Sequence, residues 1–129
     1  MQLNRTEILE KLREILGGEV FFSPLRKVPQ ILREVKTPGE IVTMRKAAAI
    51  TSEAFEAVLG KIRPGMTETE LRLELENIMY RLGAEALAFD TIIASGENGS
   101  LPHAVPGNRK LRAGDMITMD FGAKVGGYC

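Results

Sequence analysis

The sequence predicts an α+β fold, with two amphipathic helices packed on one face of a largely antiparallel sheet. Three observations carry that reading. Thr37-Pro-Gly-Glu40 and Thr67-Glu-Thr-Glu70 each place a capping Thr three residues ahead of a Glu, and each opens a stretch with apolar residues at helical spacing. A short Arg63-Pro-Gly65 loop separates the two stretches, which makes them an αα-hairpin. After residue 86 the pattern changes to apolar runs of strand length punctuated by glycine. Helices first and strands afterwards is the order of an α+β layer, not of an alternating parallel sheet.

The first third is the least regular. Asn4 to Leu16 reads as a helix, with Asn4 as cap, Glu7 three residues on, and Ile8, Leu12, Ile15 and Leu16 at helical spacing. Gly17-Gly18 ends it. Glu19 to Phe22 is a candidate short strand. Ser23-Pro24 reads as an N-cap followed by proline at the first helical position, and Pro29 argues against a long helix before Lys36.

The two central helices are expected over residues 38–62 and 68–82. Ile41, Met44, Ala48, Phe55, Val58, Leu59 and Ile62 form the stripe of the first, and Ala47-Ala48-Ala49 would allow close approach of another element. Leu71, Leu75, Ile78, Met79 and Leu82 form the stripe of the second, closed by Gly83. Both contain methionine, which fills irregular core gaps.

Strands are expected near 87–95 and 116–122. Leu87 to Ser95 is mostly apolar and β-branched, Gly96-Glu-Asn-Gly-Ser100 is a turn, and Leu101 to Asn108 is a loop. In the last stretch, Met116, Thr118 and Asp120 fall on one face, and Ile117, Met119 and Phe121 on the other. Ala123 to Gly127 supplies the glycines of a hairpin loop leading into a returning strand.

Composition bounds the function. A chain of 129 residues suits one domain. It is 44% apolar and 26% charged, the balance of an ordinary globular protein. Lys plus Arg and Asp plus Glu are 17 each, so no broad electrostatic footprint for nucleic acid or anionic lipid is expected. One cysteine excludes an internal disulfide and suits a reducing compartment. There is no apolar run of membrane-spanning length and no charged-then-apolar leader pattern at the N-terminus, so the chain reads as cytoplasmic.

Two residues stand out chemically. Asp120 is a carboxylate in a mostly apolar strand, which costs free energy unless it is hydrogen-bonded, paired or metal-bound. His103 is the only histidine and lies in a loop between two prolines, where a solvated imidazole would need no special explanation. Asp90 and Asp115 read as turn or strand-edge residues. Glu97, Asn98 and Ser100 could line a pocket, although turn formation accounts for them. Cys129 carries no catalytic role.

Lys36-Thr-Pro-Gly-Glu-Ile, Arg63-Pro-Gly-Met-Thr-Glu, Phe89-Asp-Thr-Ile-Ile-Ala-Ser-Gly, Leu101-Pro-His and Asp120-Phe-Gly occur in one order. In that order they resemble the Xaa-Pro dipeptidases and aminopeptidases, the pita-bread metallopeptidases to which methionine aminopeptidases are cousins. The resemblance covers about residues 36 to 129. It implies that residues 37–129 are the N-terminal half of a pita-bread catalytic domain, and that residues 1–36 are the end of a preceding domain and its linker. It implies two divalent ions (Mn, Co or Zn) and a proline-containing peptide substrate. Asp120 matches the family's first metal ligand, and His103 matches its substrate-binding histidine, on the oxyanion side. In the family a Ser-Asp-x-Thr-Arg-Thr-like run with a second Asp ligand follows the Tyr-Cys found here at the end of the sequence. A His and two Glu ligands lie further on. With one of five ligand positions, this chain is expected to be inactive alone. The rivals are a non-catalytic pita-bread module that binds protein or peptide, and a structural half-fold that self-associates through its exposed sheet.

Overall fold

A computed structural model describes residues 5–17, 20–24 and 26–129. The chain divides into two compact units, Met1–Val35 and Lys36–Cys129. The first contains helix α1 (Arg5–Leu16) and helix α2 (Val28–Glu34). The expected cap Asn4, and Gly18 and Glu19 of the expected stop and strand, lie outside the described residues. Val20 to Phe22 are not a strand; the Phe22 ring instead lies under the Arg13 guanidinium, 5.8 Å from its centroid. Nor does a helix start at Ser23-Pro24. It starts at Val28, with Pro29 in its first turn, where a missing N–H costs nothing.

The second unit begins with helix α3 (Pro38–Leu59) and helix α4 (Glu68–Arg81). Both expected capping boxes are formed. Thr37 Oγ1 accepts from Glu40 N at 3.3 Å while Glu40 Oε2 accepts from Thr37 N at 2.6 Å. The corresponding bonds between Thr67 and Glu70 are 3.1 and 2.7 Å. The α3 helix ends at Leu59, earlier than expected, and Ile62 packs on the core from the connecting loop.

The buried face of α3 differs from the expected stripe. Ala47, Ala54 and Val58 are buried, whereas Ala48 is exposed and Phe55 and Leu59 are largely so. Small side chains face the sheet because backbone must approach backbone there. Thr51 of α3, for example, accepts from Ala123 N at 3.1 Å. Phe55 lies at the margin, stacked on Phe121 with ring centroids 6.1 Å apart. The α4 stripe is as expected: Leu71, Leu75, Ile78 and Met79 are buried, with Leu82 packed beside them.

The strands are β1 (Ala86–Leu87), β2 (Ile92–Ser95), β3 (Ile117–Asp120) and β4 (Ala123–Lys124). The β2 and β3 strands pair antiparallel from Ile92↔Asp120 to Ser95↔Ile117, and β1 pairs antiparallel with β4. The expected single strand over 87–95 is therefore broken. Five steps from Leu87 to Ile92 oppose three from Ala123 to Asp120, so two residues are looped out on the first side. The returning strand expected after β3 is absent. Ala123-Lys124 belongs to the ladder with β1, and the tight turn lies beyond it, where Gly126 and Gly127 take φ +53° and +83°. Gly96 to Ser100 is a short 3₁₀ helix instead of a simple turn. Along β3 the side chains alternate as expected, Ile117, Met119 and Phe121 against the core and Thr118 and Asp120 outward. The result is an α+β layer in which α3 and α4 pack against two two-stranded antiparallel sheets.

The terminal turn is tied to the start of α3. Tyr128 Oη donates to Glu40 Oε1 at 2.6 Å, and this bond, with those from Thr37, lowers the Glu40 carboxyl from 4.5 to about 2. A depressed folded-state value means stability that is present above pH 4.5 and lost as pH falls toward 2. Thermal melts between pH 7 and pH 2 should show this decline, and Tyr128→Phe should flatten part of it. An unchanged profile in that variant would remove the Tyr128–Glu40 bond as a contributor.

Candidate functional site

The two residues looped out of the ladder lie beside an open cleft of about 740 Å³. Leu87, Phe89, Asp90, Thr91 and Ile92 form one wall, His103 to Pro106 another, and Arg72 and Glu76 of α4 a third. Asp120, at the end of β3, completes it. The cleft thus brings together the two singled-out residues, 17 positions apart in sequence, from a loop and from a strand end. Among the described residues the Asp120 carboxylate has no hydrogen-bond or ion-pair partner, and it faces outward.

Three further residues of the cleft, Thr91, Arg72 and Glu76, went unnoticed in the sequence, and a fourth was read otherwise. Asp90 is a cleft residue, not merely a turn or strand-edge one. Thr91 is buried, and its Oγ1 has no hydrogen-bond partner among the described residues. Arg72 Nη1 donates to both Glu76 oxygens, at 3.2 and 3.3 Å. A signal for that pair existed. Glu68, Arg72 and Glu76 recur every four residues beside the apolar stripe of α4, which puts three charges on one edge of the helix.

Glu68 anchors a polar network behind the cleft. Its side chain is 1% exposed. Oε1 accepts from Ser95 N at 2.8 Å, Ser95 Oγ at 2.8 Å and Asn98 Nδ2 at 3.0 Å. Oε2 accepts from Gly107 N at 3.1 Å. Burial alone would raise its pKa, but these donors outweigh it and hold the carboxyl below its ordinary value. The Ser95 N–H is available because Gly96 N bonds across to Met116 O at 2.9 Å, so Ser95 N points away from β3.

Arg109 extends the network. Its Nη1 donates to Ser95 Oγ at 2.7 Å and to Asp115 Oδ2 at 2.6 Å, and its Nε and Nη2 reach Glu97 at 3.1 Å each. The guanidinium between two carboxylates depresses both acids, and they raise its own pKa. Gly96 makes room for it, since a Cβ there would lie 2.3 Å from Arg109 Nη2. Glu97, Asn98 and Asp115 therefore serve this network. None of them, nor Ser100, lines the cleft.

No group of three or more His, Cys, Asp or Glu among the described residues is placed to hold a metal ion. Asp120 offers a free carboxylate on an open cleft, which suits one ligand of a metal centre and not a whole one. No helix among the described residues is long and apolar enough to cross a membrane.

Residues 42–129 match the model of metallopeptidase family M24. The chain is 40% identical over 106 residues to the uncharacterized peptidase YqhT of Bacillus subtilis, covering 82% of this chain and 30% of that one. It is 38% identical over 107 residues to the Xaa-Pro dipeptidase of Pyrococcus furiosus, covering 83% and 31%. Among solved structures it resembles the Xaa-Pro dipeptidase from Bacillus anthracis, with a TM-score of 0.80 at 38% identity over 94% of this chain and 33% of that one. The chain spans about a third of the length of these relatives. On the family model, these identities and the shared fold, the chain belongs to metallopeptidase family M24 and carries part of its pita-bread fold.

Proposed function

We propose that the cleft is the N-terminal portion of an Xaa-Pro peptidase active site, built to hydrolyse a peptide bond preceding proline. The observation that carries this reading is the meeting of Asp120 and His103 at one cleft in a chain of this family. Asp120 is proposed as a metal ligand. His103 is proposed to contact the bound peptide, its imidazole donating to the carbonyl at which negative charge develops. Bound divalent ions, two of them and of the Mn, Co or Zn type, would supply Lewis-acid activation. One carboxylate does not complete that centre, so the remaining ligands come from outside these residues, and the 129-residue chain is inactive alone. A single exposed thiol, Cys129, is consistent with a reducing, cytoplasmic setting.

Calorimetry with Mn²⁺ or Co²⁺ should show weak binding that disappears in Asp120→Ala, and a Gly-Pro substrate should not be cleaved above background. Turnover that Asp120→Ala abolishes would sink the claim of inactivity and place the missing ligands on a second copy. Tight metal binding indifferent to Asp120 would remove the proposed ligand.

The second reading is a half-fold that self-associates. It is favoured by Met116, 79% exposed at the start of β3, and by the outer edge of β3, which has no strand partner among the described residues.

A further inference from the structure

The geometry points to Glu68 as the positioning residue of the candidate site: its two carboxylate oxygens fix the loop carrying His103 to the strand pair carrying Asp120. This rests on the peptidase reading for its significance and on hydrogen bonds alone for its geometry.

The division of labour between the oxygens is the central observation. Oε1 takes the outward N–H and the hydroxyl of Ser95, on β2. That strand is registered residue by residue with β3, ending at Ile92↔Asp120. Oε2 takes Gly107 N, four residues after His103, and shares Asn98 Nδ2 with Oε1, at 3.3 Å. Neighbouring bonds from the same helical turn hold the loop at the same place. Glu68 N donates to Arg109 O and Thr69 N to Gly107 O, each at 3.1 Å. Thr69 Oγ1 lies 3.1 Å from Pro106 O and 3.0 Å from Gly107 O. Apart from these bonds, the segment offers little to hold it, since His103 and Val105 are exposed and Ala104 alone is buried. Among these bonds, the one from Gly107 N alone is made to a side chain that also holds β2, so Glu68 sets the loop against the strand pair.

Glu68→Gln is a sharp probe because it preserves shape and changes one function. The amide oxygen can still accept from Ser95 and Asn98. The amide nitrogen then faces Gly107 N–H, and more distantly Asn98 Nδ2, donor against donor. The reverse orientation would oppose a nitrogen to the donors on Ser95 and Asn98, which is worse.

The test is solution NMR of the 129-residue chain, without metal or substrate. In the wild type, residual dipolar couplings of the Ala104, Val105 and Gly107 amides should fit the alignment tensor of β2 and β3. In Glu68→Gln the β2, β3 and α4 couplings should still fit while those of the loop no longer do. The Gly107 amide order parameter should fall from about 0.85, a rigid backbone, to below about 0.6. The His103 ring, the only imidazole in the chain, should show the same loosening. A merely structural role would lower thermal stability and leave the loop orientation in the folded state unchanged. Unchanged loop couplings in folded Glu68→Gln would overturn the proposal. Should that variant not fold, Glu68→Asp, which keeps the charge but draws the carboxylate back from Gly107 N, must move the same couplings in the same direction; unchanged couplings there would overturn it as well. Because no readout uses hydrolysis or metal, a failed peptidase reading and a failed positioning role remain distinct results.

Discussion

Leu75→Ala should lower the stability of the Lys36–Cys129 unit by about 3 kcal/mol, within the range of about 2–5 for removing a buried leucine side chain. Leu75 has no exposed surface and belongs to the cluster that joins α3, α4 and the sheet. Its neighbours Leu71 and Met79, one helical turn away on either side, are also fully buried. Truncation therefore leaves a cavity that two locked side chains cannot close, and the cavity cost adds to the lost transfer free energy. At roughly 4–8 °C per kcal/mol for a unit of this size, the melting temperature should fall by about 12–24 °C. Leu73 provides the control. It lies on the same helix but is 45% exposed, and Leu73→Ala should change stability by no more than about 0.5 kcal/mol. Urea unfolding followed by far-UV circular dichroism measures both. A loss under about 1 kcal/mol for Leu75→Ala would mean that the core closes around the gap.

What the sequence made legible was local. Both capping boxes are written in four residues each, and the hydrogen bonds that define them need no distant partner. The alternation of β3 was readable because a period of two assigns faces without knowing what covers them. The errors arose where distant backbone decides. The face that α3 buries is set by how closely β4 approaches Thr51, and close approach selects alanine over phenylalanine. The two extra residues within Phe89 to Thr91 follow from the register of β1–β4 against β2–β3, and an apolar β-branched run contains no sign of it. Pro29 argues against a long helix, and the helix there is only seven residues, but the position of its start, which puts Pro29 in the permissive first turn, was not legible.

The site divides in the same way. Asp120 and His103 were found through resemblance to a family, and chemistry alone left each open to a plainer reading. Arg72 and Glu76 could have been found from their spacing with Glu68. Glu68 itself could not, because its burial depends on Ser95, Asn98 and Gly107, which lie 27, 30 and 39 residues away. A charged residue in the first turn of a helix is ordinarily a solvated partner of the helix dipole. Here the charge turns inward because three segments converge on it with donors and no acceptor of their own.

The chain should self-associate through β3, and Met116→Lys should return it to monomer. The β2–β3 pair is two strands wide, so Ile117 to Asp120 present a row of backbone groups without a strand partner among the described residues. Such an edge is a template for another strand. Met116, Leu101 and Val105 are exposed by 79%, 56% and 86%, more than isolated surface side chains require. Equal numbers of acidic and basic residues remove the long-range repulsion that would keep copies apart. A two-fold pairing would use the same edge on both copies. It would also bring two Asp120 carboxylates toward each other, which repulsion opposes unless a cation or proton lies between them. Association should therefore tighten when Mn²⁺ is added, and Asp120→Asn should tighten it without metal. Sedimentation over a concentration series measures the association directly, and a strict monomer throughout the series would end this reading. The lysine variant separates the sheet from the helices as the interface. A charge beside the edge blocks strand pairing without touching α3 or α4, so a dimer that survives Met116→Lys must be held together elsewhere.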